Sequence, residues 1–159
     1  MLKNKKCIFS DDKKYRYTLW REWDHGEGIC QFIGLNPSTA TDEINDPTVT
    51  RCINYAKQWG YTGMYMTNIF AFRATDPAVM KAHPEPVGEE NDHYLSMIAR
   101  ESEIVVAAWG THGAYRNRGQ QVKQLIQDLH CLRITKDGHP SHPLYLPKNL
   151  VPIGYSNYV

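Results

Sequence analysis

The sequence predicts an α/β domain of three layers, in which helices cover both faces of a mainly parallel four-stranded sheet. Two observations favour this fold. Apolar, strand-like runs alternate with helical patterns between residues 29 and 135, and this alternation is typical of βαβ units. The first residues instead contain two short strand patterns around a polar turn, which indicates an N-terminal antiparallel extension. At 159 residues the chain is long enough for one domain with a real core, so we predict a single domain over 1–159.

The first elements are a hairpin and the central strand. Apolar residues 7–9 and 15–20 flank a turn made of serine, aspartate and lysine at 10–14. A second turn at 24–28 leads into residues 29–34, which are rich in β-branched and aromatic side chains. This run stops at Gly34, where a glycine lets a ligand approach the backbone closely. An ordinary strand-to-loop turn explains the same residues equally well.

A βαβ unit follows this strand. Asp46 or Thr48 caps a helix, Pro47 suits its first turn, and apolar residues recur at helical spacing until Gly60 ends it. Residues 64–70 form the next strand, so it lies parallel to the first with a right-handed crossover. Farther along, the pattern predicts helices at 89–101 and 119–130 and strands at 104–109 and 131–135, with a loop or short helix beginning at 74.

Composition narrows the class of protein. The chain is 42% hydrophobic and 22% charged, with no stretch that could span a bilayer and no signal peptide, so we expect a soluble cytoplasmic protein. The net charge is +1, but basic residues dominate both ends and acidic residues the middle. This distribution is typical of a solvated mixed surface, and the alternative is a basic face that binds a polyanion. The four cysteines are far apart, which favours reduced buried thiols over disulfides.

Four polar loops follow the four parallel strands and should share one edge of the sheet. Asn36, Pro37 and Ser38 follow the first strand, and Asn68 ends the second. The third strand leads into Trp109 and a glycine-rich loop, and the fourth into a loop at 138–144 that carries His139 and His142. Singly each has a structural explanation, but together they indicate a site. Nucleophilic-serine, phosphate-loop and zinc-protease motifs are absent, and we predict no metal and no cofactor.

These loops resemble the motifs of a known enzyme superfamily. Residues 34–38, Gly-Leu-Asn-Pro-Ser, resemble the first motif of the uracil-DNA glycosylase superfamily, most closely its mismatch-specific thymine/uracil branch. Residues 64–73 are similar to its second conserved strand, and 139–144 to its final His-Pro-Ser-Pro-Leu motif, with Ser38 for a usual glycine and His142 inserted. Residues 34–40 and 46–48 also resemble an uncharacterised family of bacterial and phage proteins, a domain of unknown function.

The superfamily resemblance implies a three-layer fold of that type and hydrolysis of an N-glycosidic bond. Asn36 would position a water, and His139 would donate a hydrogen bond to the leaving base, whose negative charge grows in the transition state. Asp46 is either a carboxylate that activates the water or only a helix cap. The remaining predicted substrate-binding residues are Gly34, Leu35, Pro37, Ser38, Asn68, Phe70, Arg73, Trp109, Ser141 and Leu144.

The chemistry of these side chains fits a nucleobase. Asn68 offers a donor and an acceptor side by side for the edge of a flipped base, and Phe70 or Trp109 could stack on its ring. Ser38 and Ser141 suit flanking phosphates, and Leu144 suits a wedge in the duplex. We therefore expect a DNA glycosylase-like hydrolase acting on a modified or damaged base in DNA. The alternatives are a non-catalytic module that binds a nucleobase, nucleotide or modified DNA, and a hydrolase of free nucleosides or nucleotides.

Overall fold

The structure, a computed structural model, describes residues 5–156. Its centre is a mixed seven-stranded sheet with the strand order β1-β2-β4-β3-β5-β6-β7. The strands are β1 (Cys7–Phe9), β2 (Arg16–Glu22), β3 (Ile29–Gly34), β4 (Gly63–Asn68), β5 (Ile104–Ala107), β6 (His130–Cys131) and β7 (Ile153–Gly154). The predicted α/β class is confirmed, and the sheet is wider than the four parallel strands and the extension that we expected.

The four central strands are parallel, as predicted. β3 pairs with β4 from Ile29↔Gly63 to Gly34↔Asn68, and on its other side with β5. β6 continues the parallel set beyond β5. The N-terminal extension is also confirmed, because β1 and β2 form an antiparallel hairpin and β2 pairs antiparallel with β4. β7 was not predicted; it has two exposed residues and pairs antiparallel with β6.

Helices cover both faces of the sheet. The helices are α1 (Pro47–Gln58), α2 (Pro77–Ala82), α3 (Asn91–Glu101) and α4 (Arg118–Leu125). Alternate residues of β3 separate the two cores, since Phe32 packs with α1 on one face and Ile33 packs with α3 and α4 on the other. The period-2 alternation of strand side chains therefore produces the two packed interfaces. Among the described residues, no helix has both the length and the apolar character needed to cross a membrane.

Four predicted elements end earlier than expected: strands β4 and β5 each stop two residues early, at Asn68 and Ala107, and α4 and β6 differ more. Helix α4 stops at Leu125 and not near residue 130, because Ile126 adopts an extended conformation. Ile126 and Leu129 are nevertheless buried, which explains why the apolar pattern continued. Strand β6 is only two residues long, since the following segment leaves the sheet and pairs with itself: an isolated bridge joins Ile134 to Pro140, and the Ser141 amide donates to the Arg133 carbonyl.

A short 3-10 segment, Thr111–Asn117, follows β5 where we predicted only a loop. It ends in a kink, because Arg116 and Asn117 both have positive φ angles, of 54° and 55°. The indole of Trp109 fills the space inside this segment; a Cβ on Gly113 would lie 2.1 Å from Trp109 Cδ1. The segment thus fixes Trp109 as a wall between the sheet edge and the start of α4.

Candidate functional site

A cavity of about 460 Å³ lies beyond the carboxyl ends of β3, β4 and β5. The chain runs from β3 to β4 on one side and then to β5 on the other, so this edge is the point at which the strand order reverses. Parallel α/β sheets bind ligands at such points. The structure brings nine of the sequence-predicted residues to this cavity: Gly34, Leu35, Asn36, Pro37, Ser38, Asp46, Asn68, Trp109 and Leu144. Their roles remain predictions.

Gly34 is required by its neighbours on β4. A Cβ at this position would lie 2.7 Å from Met66 Cε and 2.8 Å from Asn68 Oδ1. The side chain of Asn68 therefore crosses the space that any other residue at 34 would fill. We expected that Gly34 would let a ligand approach the backbone closely. In the structure, the space left by the missing Cβ is occupied by the side-chain amide of Asn68, which lines the cavity.

Asn36 is held by its amide nitrogen. Nδ2 donates to the Ala74 carbonyl at 2.8 Å and to the Pro37 carbonyl at 3.2 Å. Because both partners are acceptors, they fix which end of the amide is the NH₂ group. The Oδ1 atom makes no hydrogen bond to another described group, and it is the atom left to accept one in the cavity.

Asn68 is 2% exposed, and its Nδ2 is buried without a hydrogen-bond partner among the described residues. Its backbone is well satisfied, since its carbonyl accepts from Asn91 Nδ2 at 2.8 Å. A buried amide donor without an acceptor costs about 1–3 kcal/mol. Because Asn68 lines the cavity, a ligand there is one candidate partner for this amide.

Asp46 performs the structural role that we considered and also reaches the cavity. Its Oδ1 accepts from the Val49 amide at 2.8 Å, which caps helix α1. The residue is 9% exposed and lines the cavity. The cap is thus confirmed, and it places a carboxylate in the same cavity as Asn36.

His139 lies outside the main cavity, so the structure does not bring it to the cavity that Asn36 lines. It lines a second cavity of about 130 Å³, and Trp109 lines both. The position follows from the self-paired segment after β6: the His139 amide donates to Thr135 Oγ1 at 3.0 Å, and the His139 carbonyl accepts from the Thr135 amide at 2.7 Å.

His142 is the histidine of the main cavity. Its Nδ1 accepts from the Leu144 amide at 3.2 Å, so the neutral ring carries its proton on Nε2. Burial lowers the pKa of His142, and the nearby Asp46 charge opposes that shift only in part. The ring is therefore a neutral donor near pH 7. Both histidines belong to one short motif, and spacing along the chain does not reveal which one faces the cavity.

Three other predicted residues do not line the cavity. Phe70 is fully buried in the core beneath α3 and α4, where it contacts Tyr115. Arg73 lies over the ring of Phe9 and donates to the Lys13 carbonyl at 3.0 Å. Ser141 is buried and its amide donates to Arg133. The structure places these three away from the main cavity, because each is directed to the hairpin, the core or the self-paired segment.

Arg16, at the start of β2, is a cavity residue that the sequence analysis missed. It is 2% exposed, and its single side-chain hydrogen bond to a described group runs from Nη1 to the Ala40 carbonyl at 3.1 Å. Its Nε is buried without a partner. Burial lowers the pKa of Arg16 to about 10, so the guanidinium remains a cation near neutral pH. Its place in a hairpin strand gave no sign that it would reach the loop after β3.

The cysteines and the carboxylates form no second reactive centre in the described part of the chain. All four cysteines are free thiols, and burial raises the pKa of Cys7 and of Cys131 to about 11. Within residues 5–156, no three histidine, cysteine, aspartate or glutamate side chains are grouped closely enough to hold a metal ion.

Comparison with known proteins gives a family but not an activity. Residues 16–144 match the profile described as "Protein of unknown function (DUF1643)". A search of curated proteins and a search of solved structures each found no match. The profile covers most of the chain and includes both the residue 34–40 loop and the His142 loop. The chain therefore belongs to the DUF1643 family.

Proposed function

We propose that this member of the DUF1643 family is a glycosylase-like hydrolase that cleaves the N-glycosidic bond of a modified or damaged base held in the main cavity. The observation that supports this proposal best is the meeting of Asn36, Asn68 and His142 around one cavity at the carboxyl ends of the parallel strands. The motif resemblance to the uracil-DNA glycosylase superfamily points to the same chemistry, and we propose that superfamily's fold type for the chain.

Asn36 positions the attacking water in this proposal. Its Nδ2 is fixed by the Ala74 and Pro37 carbonyls, and Oδ1 is left to accept a hydrogen bond from the water. A carboxamide is not a base near neutral pH. Asp46 supplies a carboxylate to the same cavity and accepts the proton as the water oxygen bonds to the anomeric carbon and the C–N bond breaks.

His142 takes the role that the sequence suggested for His139. The leaving base departs with the electron pair of the broken bond and becomes an anion. The neutral His142 ring, whose Nδ1 is engaged by the Leu144 amide, can donate from Nε2 to that anion. A donor placed where negative charge develops contributes about 2.7–4 kcal/mol to the transition state.

Asn68 is the group that we assign to base recognition. Its unpartnered Nδ2 needs an acceptor, and a carbonyl oxygen or ring nitrogen on the edge of a base supplies one. Trp109 and Leu35 add apolar wall area to the same cavity. A polar edge facing Asn68 and ring faces against apolar side chains are what a flat heterocycle requires.

DNA is the proposed partner because of the cavity rim. Leu144 lines the cavity, and the next residue, Tyr145, is 97% exposed with a φ angle of 68°. A non-glycine residue in that region is strained, and such strain concentrates at functional sites. An exposed aromatic beside the mouth suits stacking on the bases next to a flipped nucleotide.

A hydrolase of free nucleotides is the second candidate, and Arg16 favours it. A cation inside the cavity suits a ligand that carries its own negative charge, and the chain's net charge of +1 is low for a protein that binds DNA strongly.

The test is base release from oligonucleotide duplexes, each carrying one modified base, followed by detection of abasic sites. We expect abasic product from at least one duplex. Asn36→Ala and His142→Ala should lower the rate about 10²–10³-fold. His139→Ala is the matched control, since it removes the same ring from the neighbouring cavity and should retain the rate. No abasic product from any duplex, or loss of activity only in His139→Ala, would contradict the proposal.

A further inference from the structure

The unexplained feature of the main cavity is its cation. Arg16 is 2% exposed, yet it belongs to neither of the ion pairs formed by the described residues, which are Lys6–Glu43 and Arg118–Asp92. One of its five N–H groups has a described acceptor, the Ala40 carbonyl, and its Nε has none. Asp46, which lines the same cavity, offsets part of the cost of burying Arg16 but forms no ion pair with it, so a hydrogen-bonding partner in the cavity would still be favoured.

The loop beside Arg16 offers further donors. The backbone amides of residues 38, 39 and 40 donate to no other described group, and Ser38 and Thr39 line the cavity. Arg16 Nη1 is bonded to the carbonyl at the end of this loop, so the guanidinium and the loop are adjacent. Successive free amides next to an arginine are the arrangement that proteins use to hold oxyanions.

The neighbouring charges restrict where an anion can lie. Asp46 lines the same cavity, and its Oδ1 is already engaged by the Val49 amide at the start of α1. Its negative charge disfavours an anion at the helix terminus. The favourable position is therefore on the loop side of Arg16, among the amides of residues 38–40, and not on α1.

The size of the cavity agrees with a ligand that has two parts. A volume of about 460 Å³ lies within the range of sites for small molecules and exceeds what a single base ring fills. Asn68 and His142 are assigned to one part of the ligand, and Arg16, which lines the same cavity, is left for another part. A nucleobase with a phosphate attached through its sugar has this division into a flat polar ring and an oxyanion.

We propose that Arg16 and the backbone amides of residues 38–40 form a phosphate subsite, so that the ligand of the main cavity is a nucleotide and not a bare base or nucleoside. This inference rests on the proposed function for the identity of the other half of the ligand. The phosphate is either the monoester of a free nucleotide or the diester next to a flipped nucleotide in DNA. Arginine binds both through paired N–H donors.

The experiment compares nucleosides with their phosphates on the full chain by isothermal titration calorimetry. The probes are inorganic phosphate, the five 2′-deoxynucleosides of A, C, G, T and U, and their 5′-monophosphates. We expect at least one monophosphate to bind tenfold or more tightly than its nucleoside. Arg16→Met should abolish that gain, and Arg16→Lys should retain a part of it because a point charge remains.

Arg73→Met is the matched control. It removes an equal charge from a neighbouring arginine that lies over Phe9 outside the cavity, so the gain from the phosphate should persist. Equal binding of every nucleoside and its monophosphate, or an unchanged gain in a folded Arg16→Met protein, would overturn the subsite. If Arg16→Met does not fold, loss of the gain in folded Arg16→Lys supports the subsite and an undiminished gain overturns it.

Two further measurements distinguish a free nucleotide from DNA as the source of the phosphate. They also distinguish failure of the phosphate subsite from failure of the proposed glycosylase activity. A single-stranded oligonucleotide with one central uracil reports the diester source, and deoxyuridine 5′-monophosphate the monoester. Tighter binding of the oligonucleotide assigns the subsite to DNA, and the reverse assigns it to a free nucleotide. A phosphate gain without abasic product leaves the subsite intact and removes the glycosylase proposal; abasic product without a phosphate gain does the opposite.

Discussion

Two arginines of this fold, Arg16 and Arg118, are equally buried but differ in their hydrogen bonds and ion pairs. Arg118, at the start of α4, donates from Nε to the Ile69 carbonyl at 2.8 Å and from Nη2 to Asp92 at 2.5 Å. Arg16, on the other side of the sheet, has one described acceptor and no ion pair. The bonds of Arg118 link α4 to α3 and to the residue after β4, whereas Arg16 makes only one hydrogen bond to a described group.

The difference separates a buried cation that the fold satisfies with its own groups from one that it does not. Buried polar atoms in native proteins are nearly all satisfied, so each exception calls for a reason. Five buried side-chain nitrogens lack a partner among the described residues; those of Trp20, Arg73 and His130 belong to residues that do not line the main cavity, and the other two belong to Arg16 and Asn68, which do. The lack of partners for Arg16 and Asn68 among the described residues is consistent with a site that a ligand completes.

The largest expected contrast is in stability. Arg118→Met should lower the free energy of unfolding by about 2–4 kcal/mol, because it removes a charged hydrogen-bond donor from the buried Ile69 carbonyl and from the exposed Asp92 carboxylate. Arg16→Met should change it by less than about 1 kcal/mol, since the lost bond to Ala40 is offset by removal of a buried charge. Urea unfolding of both variants measures the difference. If Arg16→Met is as damaging as Arg118→Met, Arg16 is a structural residue.

The next contrast is between two glycines in strands, Gly34 at the end of β3 and Gly154 in β7. Gly34→Ala should cost about 1–3 kcal/mol, since its Cβ would meet Met66 Cε and Asn68 Oδ1. It should also weaken nucleotide binding by displacing Asn68. Gly154→Ala on β7 is the control, because nothing lies within 4 Å of its Cβ position. Equal thermal stability of the two variants would show that the crowding at Gly34 is not as described.

Two adjacent buried asparagines, Asn68 and Asn91, allow the same comparison between a side-chain nitrogen with described acceptors, that of Asn91, and one without, that of Asn68. Asn91 donates from Nδ2 to the carbonyls of Asn68 and Ile69, so Asn91→Ala should cost about 1–3 kcal/mol. Asn68→Ala should cost less than about 1 kcal/mol, because its Nδ2 has no described acceptor to lose. Calorimetric binding should show the reverse order, with Asn68→Ala the more harmful. A larger stability loss for Asn68→Ala argues against an unsatisfied amide.

The smallest expected effect is a pH dependence from His142. Burial lowers its pKa below the ordinary value of 6.5, so the unfolded chain binds the proton more readily than the folded one. Stability from this group is therefore complete above pH 6.5 and is lost as the pH falls through the folded pKa. The His142→Asn variant should lack this component in unfolding measured from about pH 5 to pH 8. Identical pH profiles of the two proteins would contradict a buried neutral ring.

The sequence was sufficient to predict the parallel strands at the centre of the fold and half of the site. The Asp46-Pro47 start of α1 and the apolar run ending at Gly34 are local signals, and both elements formed as predicted. Asn36 and Asn68 follow neighbouring parallel strands, so topology alone brings them together. Local chemistry and strand order sufficed wherever a residue sits directly at the end of a parallel strand.

The remainder depended on contacts between distant segments. The choice between His139 and His142 is made by the pairing of residue 134 with residue 140, which turns one ring away from the cavity. Arg16 reaches the cavity from the hairpin because β2 lies next to β4 in the sheet. Neither of these long-range contacts is accompanied by a sequence period or a motif, so the sequence alone could not predict them.

The most direct test is the ¹⁵N–¹H resonance of the two arginine Nε groups during titration with deoxyuridine 5′-monophosphate. Each arginine is assigned by its loss in the corresponding lysine variant. If the main cavity binds a nucleotide through Arg16, the Arg16 Nε–H signal shifts on titration, and that of Arg118, whose Nε–H donates to the Ile69 carbonyl, remains in place. An Arg16 signal that does not move at saturating nucleotide, or one that moves no more than that of Arg118, would contradict the account.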